Sequence, residues 1–178
     1  MESSLSGATL SQRNPSRITA ETIPLADLRK FASENHLYAI LDACDTPAVP
    51  LKVNEMGEAN AVSLYRGEAE EDYWAIAPYL VRVDPSFLDW IGNTLWEEHW
   101  GIFAVVEADL QTLRTHFRKF LTVQMPDGEK VYFRFYDPRV LPQFLRSCND
   151  AELGEFFGSI QEYGCGLTDQ KRVTLLRR

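Results

Sequence analysis

The segment Leu37-Tyr-Ala-Ile-Leu-Asp42 constrains the fold more than any other part of this chain. Its apolar run is too short for a buried helix and lacks the alternation of a strand with one wet face. It fits a strand buried on both sides, so the chain has to supply a covering layer above and below a sheet. Two prolines between Ala43 and Pro50 then end the strand.

The covering layers are legible as helical stripes. Pro24 to Asn35 reads as a short helix with Leu25, Leu28 and Phe31 on one side. A helix from Pro85 to about Glu98 puts Phe87, Leu88, Ile91 and Leu95 on one face, and Asp109 is the natural N-cap of a helix striped by Leu110, Leu113, Phe117, Phe120 and Leu121. Further strands are expected at 60–65, 79–83 and 100–106, with the acidic Glu68 to Asp72 run as a solvated loop between two of them. Asp127-Gly128 marks a hairpin joining 121–125 to 130–136. After Asp137 the chain fits either one helix to Cys148 or a first turn and a fresh helix at Pro142, followed by a short helix at 152–157. Segments 159–165 or 173–176 offer an edge strand. With 178 residues, 45% of them hydrophobic, there is material for one core. The expectation is an α/β fold: a single domain over 21–165 with a central mixed sheet flanked by helices, a flexible segment at 1–20 and a basic tail at 166–178.

A formal net charge of −8 opposes binding to a phosphate backbone, so no nucleic acid partner is expected. No apolar run approaches the roughly 18 residues of a membrane span, and the first twenty residues lack the apolar centre of a signal peptide. Together with three widely spaced cysteines, this places the protein in the cytosol, away from membranes.

Candidate function gathers around Val131-Tyr-Phe-Arg-Phe-Tyr-Asp-Pro-Arg139. Strand alternation puts Tyr132, Arg134 and Tyr136 on one face and Val131, Phe133 and Phe135 on the other. Asp137-Pro138 suits the start of a helix. Arg134, Asp137 and Arg139 fit a patch for a partner's carboxylate, because guanidinium groups make planar, two-pronged contacts. The competing reading makes Arg134 structural, paired to Asp42 or Asp137 between Tyr132 and Tyr136, and leaves Arg139 at the surface. Trp96 lies off its helix's apolar face, which fits either an interface anchor or cover from a second layer. Trp74, beside the acidic run, is a similar case.

Chemistry has less support. His36, His99 and His116 lack the spacing of a metal-binding pair, there is no C-x-x-C and no phosphate-binding glycine loop, and no metal or cofactor is expected. A small hydrolase using Cys148 or Cys44 with a distant histidine is the alternative from another class. A toxin-binding immunity or regulatory protein is a third.

L-Y-A-I-L-D at 37–42, A-P-Y-L-V at 77–81, W-G-I-F at 100–103 and F-R-F-Y-D-P-R-V-L at 133–141 together resemble the effector chaperone, or adaptor, family of bacterial type VI secretion. The further C-terminal lobe of many such adaptors is reduced in this sequence to the segment after Asp150. The resemblance implies a cytosolic, non-enzymatic protein that binds a toxic effector and helps load it onto the spike-tip protein. On that reading the partner-binding residues are Trp96, Arg134, Tyr136, Asp137 and Arg139.

Overall fold

The computed structural model describes residues 17–44, 46–125, 127–167 and 170–178. Strand β1 (Thr19–Pro24) leads into a 3-10 turn and the short helix α1 (Arg29–Ser33), then β2 (Leu37–Asp42), α2 (Ala48–Met56), β3 (Ala61–Ser63) and α3 (Glu68–Asp72). Next come β4 (Pro78–Arg82), α4 (Pro85–Trp90), β5 (Gly101–Val105), α5 (Leu110–Arg118) and the hairpin β6 (Thr122–Gln124) and β7 (Lys130–Tyr132). Helices α6 (Leu141–Ser147) and α7 (Asp150–Phe157) and strands β8 (Glu162–Leu167) and β9 (Arg172–Arg177) complete the order.

Seven strands make one sheet, ordered β1-β9-β8-β5-β2-β4-β3. Alternation along β2 divides the core. Leu37, Ala39 and Leu41 join Phe87, Leu88, Ile91 and Trp100 beneath α1, α2 and α4, while Tyr38 and Ile40 join Leu113, Phe117, Leu145 and Phe156 beneath α5, α6 and α7. The expected α/β domain with helices on both faces of a central sheet is therefore what forms.

Several details differ. Every pairing in the sheet is antiparallel rather than mixed. An apolar run reports coverage on both faces, which two helical layers supply whatever the strand direction, so it carries no information on polarity. The 121–136 hairpin stands outside the sheet as a separate two-stranded ribbon with largely exposed residues. Its place is taken by β8, paired to β5, and by β9. The expected basic tail is thus a core strand, since Val173, Leu175 and Leu176 are buried while Arg172 and Arg177 at its ends are half-buried. Residues 19 and 20, expected to be flexible, begin β1, which pairs with β9 from Thr19↔Arg177 to Pro24↔Arg172; residues 1–16 lie outside the described residues. The Glu68 to Asp72 run is a short helix rather than a loop.

Two local features shape the chain on either side of the sheet's centre. Gly101 opens β5 with φ +147°, and a Cβ there would sit 1.9 Å from the Ile40 carbonyl oxygen, so only glycine lets β5 lie this close to β2. Beyond α4, residues Ile91–Leu95 form a π turn. Its wider i→i+5 spacing shifts the helical register by about one residue. Among the described residues no helix is long and apolar enough to cross a membrane.

Candidate functional site

The end of β2 turns a carboxylate toward the α5 to α7 side of the sheet. Asp42 follows Tyr38 and Ile40 in the alternation, and its side chain is only 3% exposed. Oδ1 accepts the Cys44 backbone N–H at 3.0 Å, and Oδ2 accepts from Nη2 of Arg134. Arg134 reaches Asp42 because the chain after β7 is pinned to the core by aromatic contacts. Phe135 is fully buried, stacked on Phe117 at 5.8 Å and edge-on to Phe156 at 5.6 Å. Tyr136 packs against Phe135, also buried. The Arg134 side chain as a whole remains 42% exposed. Partial burial works against its charge, but the hydrogen bond and charge of Asp42 outweigh that and raise its pKa. Burial, reinforced by the Asp42 charge, holds the Tyr136 phenol far above its ordinary pKa, so the hydroxyl stays protonated.

A tight turn follows. The Asp137 N–H donates to the Arg134 carbonyl at 3.1 Å, and the Asp137 carbonyl accepts from Val140 and Leu141. Its carboxylate accepts the Arg139 backbone N–H at 2.8 Å and grips the same residue's guanidinium through Nε at 2.9 Å and Nη2 at 2.6 Å. Burial raises the Asp137 pKa, but these hydrogen bonds and the charges of Arg139 and Arg134 prevail and hold it below the usual carboxylate range. Asp137 therefore organises a turn, and α6 starts later, with Pro142 in its first turn. Of the two alternatives in the sequence, the fresh helix is the one realised, because Pro142 has no N–H to continue an earlier helix. The Arg139 side chain is 60% exposed.

Of the residues singled out in the sequence, Arg134, Tyr136, Asp137 and Arg139 lie together. Trp96 does not join them. The π turn carries it into the opposite core layer, 4% exposed, with its ring 6.3 Å from Trp100 and lying over Gly166, where a Cβ would be 3.2 Å from the indole. As a surface anchor Trp96 is thus corrected, and cover by a second layer explains it. Trp74 is the tryptophan that is exposed, at 52%. Tyr132, singled out in the sequence beside Arg134, is exposed, and its ring lies 5.8 Å from Tyr65. Sequence reasoning missed that Val123 and Met125 are exposed as well. Their signal was alternation in a hairpin assigned to the sheet; outside it, no helical layer covers them among the described residues.

The cysteines are dispersed. Cys148 and Cys165 are buried, Cys44 is exposed, and burial raises the Cys148 thiol and pushes Cys165 up to about 12. The Cys148 thiol donates to the Phe144 carbonyl, and among the described residues no hydrogen bond joins a cysteine to a histidine. No cluster of three or more metal-ligating side chains occurs among the described residues.

The sequence pattern of the family described as Domain of unknown function (DUF4123) matches residues 37–155, about two thirds of the chain. The chain belongs to the DUF4123 family. No curated protein and no solved structure matches it. The matched span of this DUF4123 protein holds the four adjacent strands β5, β2, β4 and β3 and the Arg134 to Leu141 turn, whose Phe135 and Tyr136 pack in the same core layer as Ile40, Leu80 and Ile102. The four motifs at 37–42, 77–81, 100–103 and 133–141 thus converge on one region of the fold.

Proposed function

We propose that this DUF4123 domain is a non-enzymatic adaptor of type VI secretion, acting in the cytosol, that binds a toxic effector and promotes its loading onto the spike-tip protein. The observation that carries the reading is the family match, because it spans all four motifs on which the resemblance to effector adaptors rests. The local geometry agrees with a binding role. Tyr132, exposed on the ribbon, precedes Arg134 by two residues, and the Arg134 and Arg139 guanidinium groups are each held by a carboxylate partner. Such a mixture of aromatic area and fixed arginine is typical of protein interfaces.

The test is affinity capture from the native cytosol with wild type and a Tyr132→Ala, Arg139→Gln variant in parallel, the glutamine leaving a neutral donor beside Asp137, and both checked by melting curve to be folded. The expected result is co-purification of a spike-tip protein and an effector with wild type, reduced at least about tenfold in the variant. Capture of neither protein by wild type overturns the adaptor reading. Equal capture by both moves the contact away from this ribbon.

A further inference from the structure

The sheet ends at β3, and its open side faces a groove of about 550 Å³ between α2 and the 70–74 segment. That volume is in the range of ligand-binding clefts. Leu51, 67% exposed, and Trp74 form its apolar walls, and Trp74 is held in place by the Tyr79 hydroxyl, which donates to its carbonyl at 2.6 Å.

The floor of this groove is a partly occupied strand edge. Arg82 donates to the Asn60 carbonyl and Leu64 to the Pro78 carbonyl, so Asn60, Val62 and Leu64 direct their backbone groups to β4. Those of Ala61 and Ser63 therefore point outward, into the groove. Two of the four are already engaged: the Ala61 N–H donates to Gly57, and the Ser63 carbonyl accepts from Arg114 at 3.0 Å and Arg118 at 3.2 Å. Among the described residues, the groups left for a ligand are the Ala61 carbonyl and the Ser63 N–H. An incoming antiparallel strand needs the engaged groups as well. A parallel strand needs only this remaining pair, since one of its residues donates to the position before Val62 and accepts from the position after it.

The surroundings are acidic. Residues 48–76 carry six carboxylates and two cations. Lys52 is tied to Glu55, and Arg114, which reaches the groove from α5, is tied to Glu70. Glu58 lines the groove, and Glu68, Glu71 and Asp72 extend the negative surface along α3.

We propose that this groove binds a short extended segment of a protein partner, parallel to β3, with an apolar side chain against Leu51 and Trp74 and a lysine or arginine beside it. Backbone pairing supplies the grip, and the acidic rim selects the charge. The proposal rests on the adaptor reading only for which partner carries the segment.

Fluorescence anisotropy of the full chain with a labelled nine-residue peptide alternating valine and lysine tests it, beside a valine and glutamate counterpart and an N-methylated copy of the first. The expected result is binding of the lysine peptide at least about tenfold tighter than either control at low salt, with the advantage over the glutamate peptide shrinking at about 1 M salt. Leu51→Ser and Trp74→Ala, both at exposed positions, should each weaken it by about tenfold or more with the melting curve unchanged. No binding, equal binding of the three peptides, or indifference to both substitutions overturns the proposal, as does wild-type self-association that Trp74→Ala abolishes. Failure of wild type to bind the lysine peptide, while wild type and Trp74→Ala capture spike-tip protein and effector equally, would sink the groove and leave the adaptor reading standing.

Discussion

Arg134→Met is the most informative single change in the Asp137 region. The methionine keeps much of the aliphatic length but removes the cation from a carboxylate that is 3% exposed, leaving Asp42 with the Cys44 N–H. Removing one partner of a buried pair costs about 3–5 kcal/mol. Here Arg134 is 42% exposed, so water reaches the vacated side and the loss is discounted to about 2–3 kcal/mol. For a chain of this size that lowers the melting temperature by about 4–12 °C. The assay is urea unfolding at pH 7 of wild type, Arg134→Met, Asp42→Asn and the double variant. In the Asp42→Asn background no buried carboxylate remains to be orphaned, so Arg134→Met should cost less than about 1 kcal/mol, giving a coupling of about 1–2 kcal/mol. Equal costs in both backgrounds would refute the reasoning and make Arg134 a surface residue that happens to touch Asp42.

Acid should act through His116. Its Nε2 lies 2.9 Å from the Phe156 carbonyl, and burial lowers its pKa. Below about pH 6.5 the unfolded chain takes up a proton that the folded chain resists, so stability is complete above that pH and declines as pH falls toward the folded value. Denaturant midpoints between pH 7.5 and 5.5 should fall more steeply for wild type than for His116→Gln, and equal slopes would count against the assignment. Thiol labelling of the native protein should modify Cys44 alone, with Cys148 and Cys165 reacting only on unfolding. Rapid native labelling of Cys148 would revive the cysteine hydrolase.

Where one face of an element is buried, the sequence declared it. The apolar run of β2, the Asp109 cap and Leu110, Leu113 and Phe117 of α5 sit where their patterns place them, whereas Phe120 and Leu121 of the expected stripe fall past the helix end at Arg118. Arg134 pairs with Asp42, one of the two carboxylates available to it from sequence alone. The failures share a cause, which is that a residue's cover is supplied from elsewhere in the chain. Trp96 looked misplaced because a constant period of 3.6 was applied across a π turn. Strand β1, mostly exposed, has almost no apolar signal of its own and is defined by β9. The groove beside β3 is framed by α2, the 70–74 segment and, from farther along the chain, α5, so Trp74 alone could not announce it.

The family pattern stops at residue 155, yet β8 and β9, which cover the open side of β5, lie beyond it, and β1 lies before it. The recognisable sequence and the cooperative folding unit therefore have different borders. Pairing Thr19 with Arg177 joins positions far apart in sequence, and a loop of that length closes late, after the local helices and the β2 to β5 region have formed. A chain cut before β8 leaves the edge of β5 unpaired, and an unpaired strand edge is a template for aggregation, so an expressed fragment has to extend through β8.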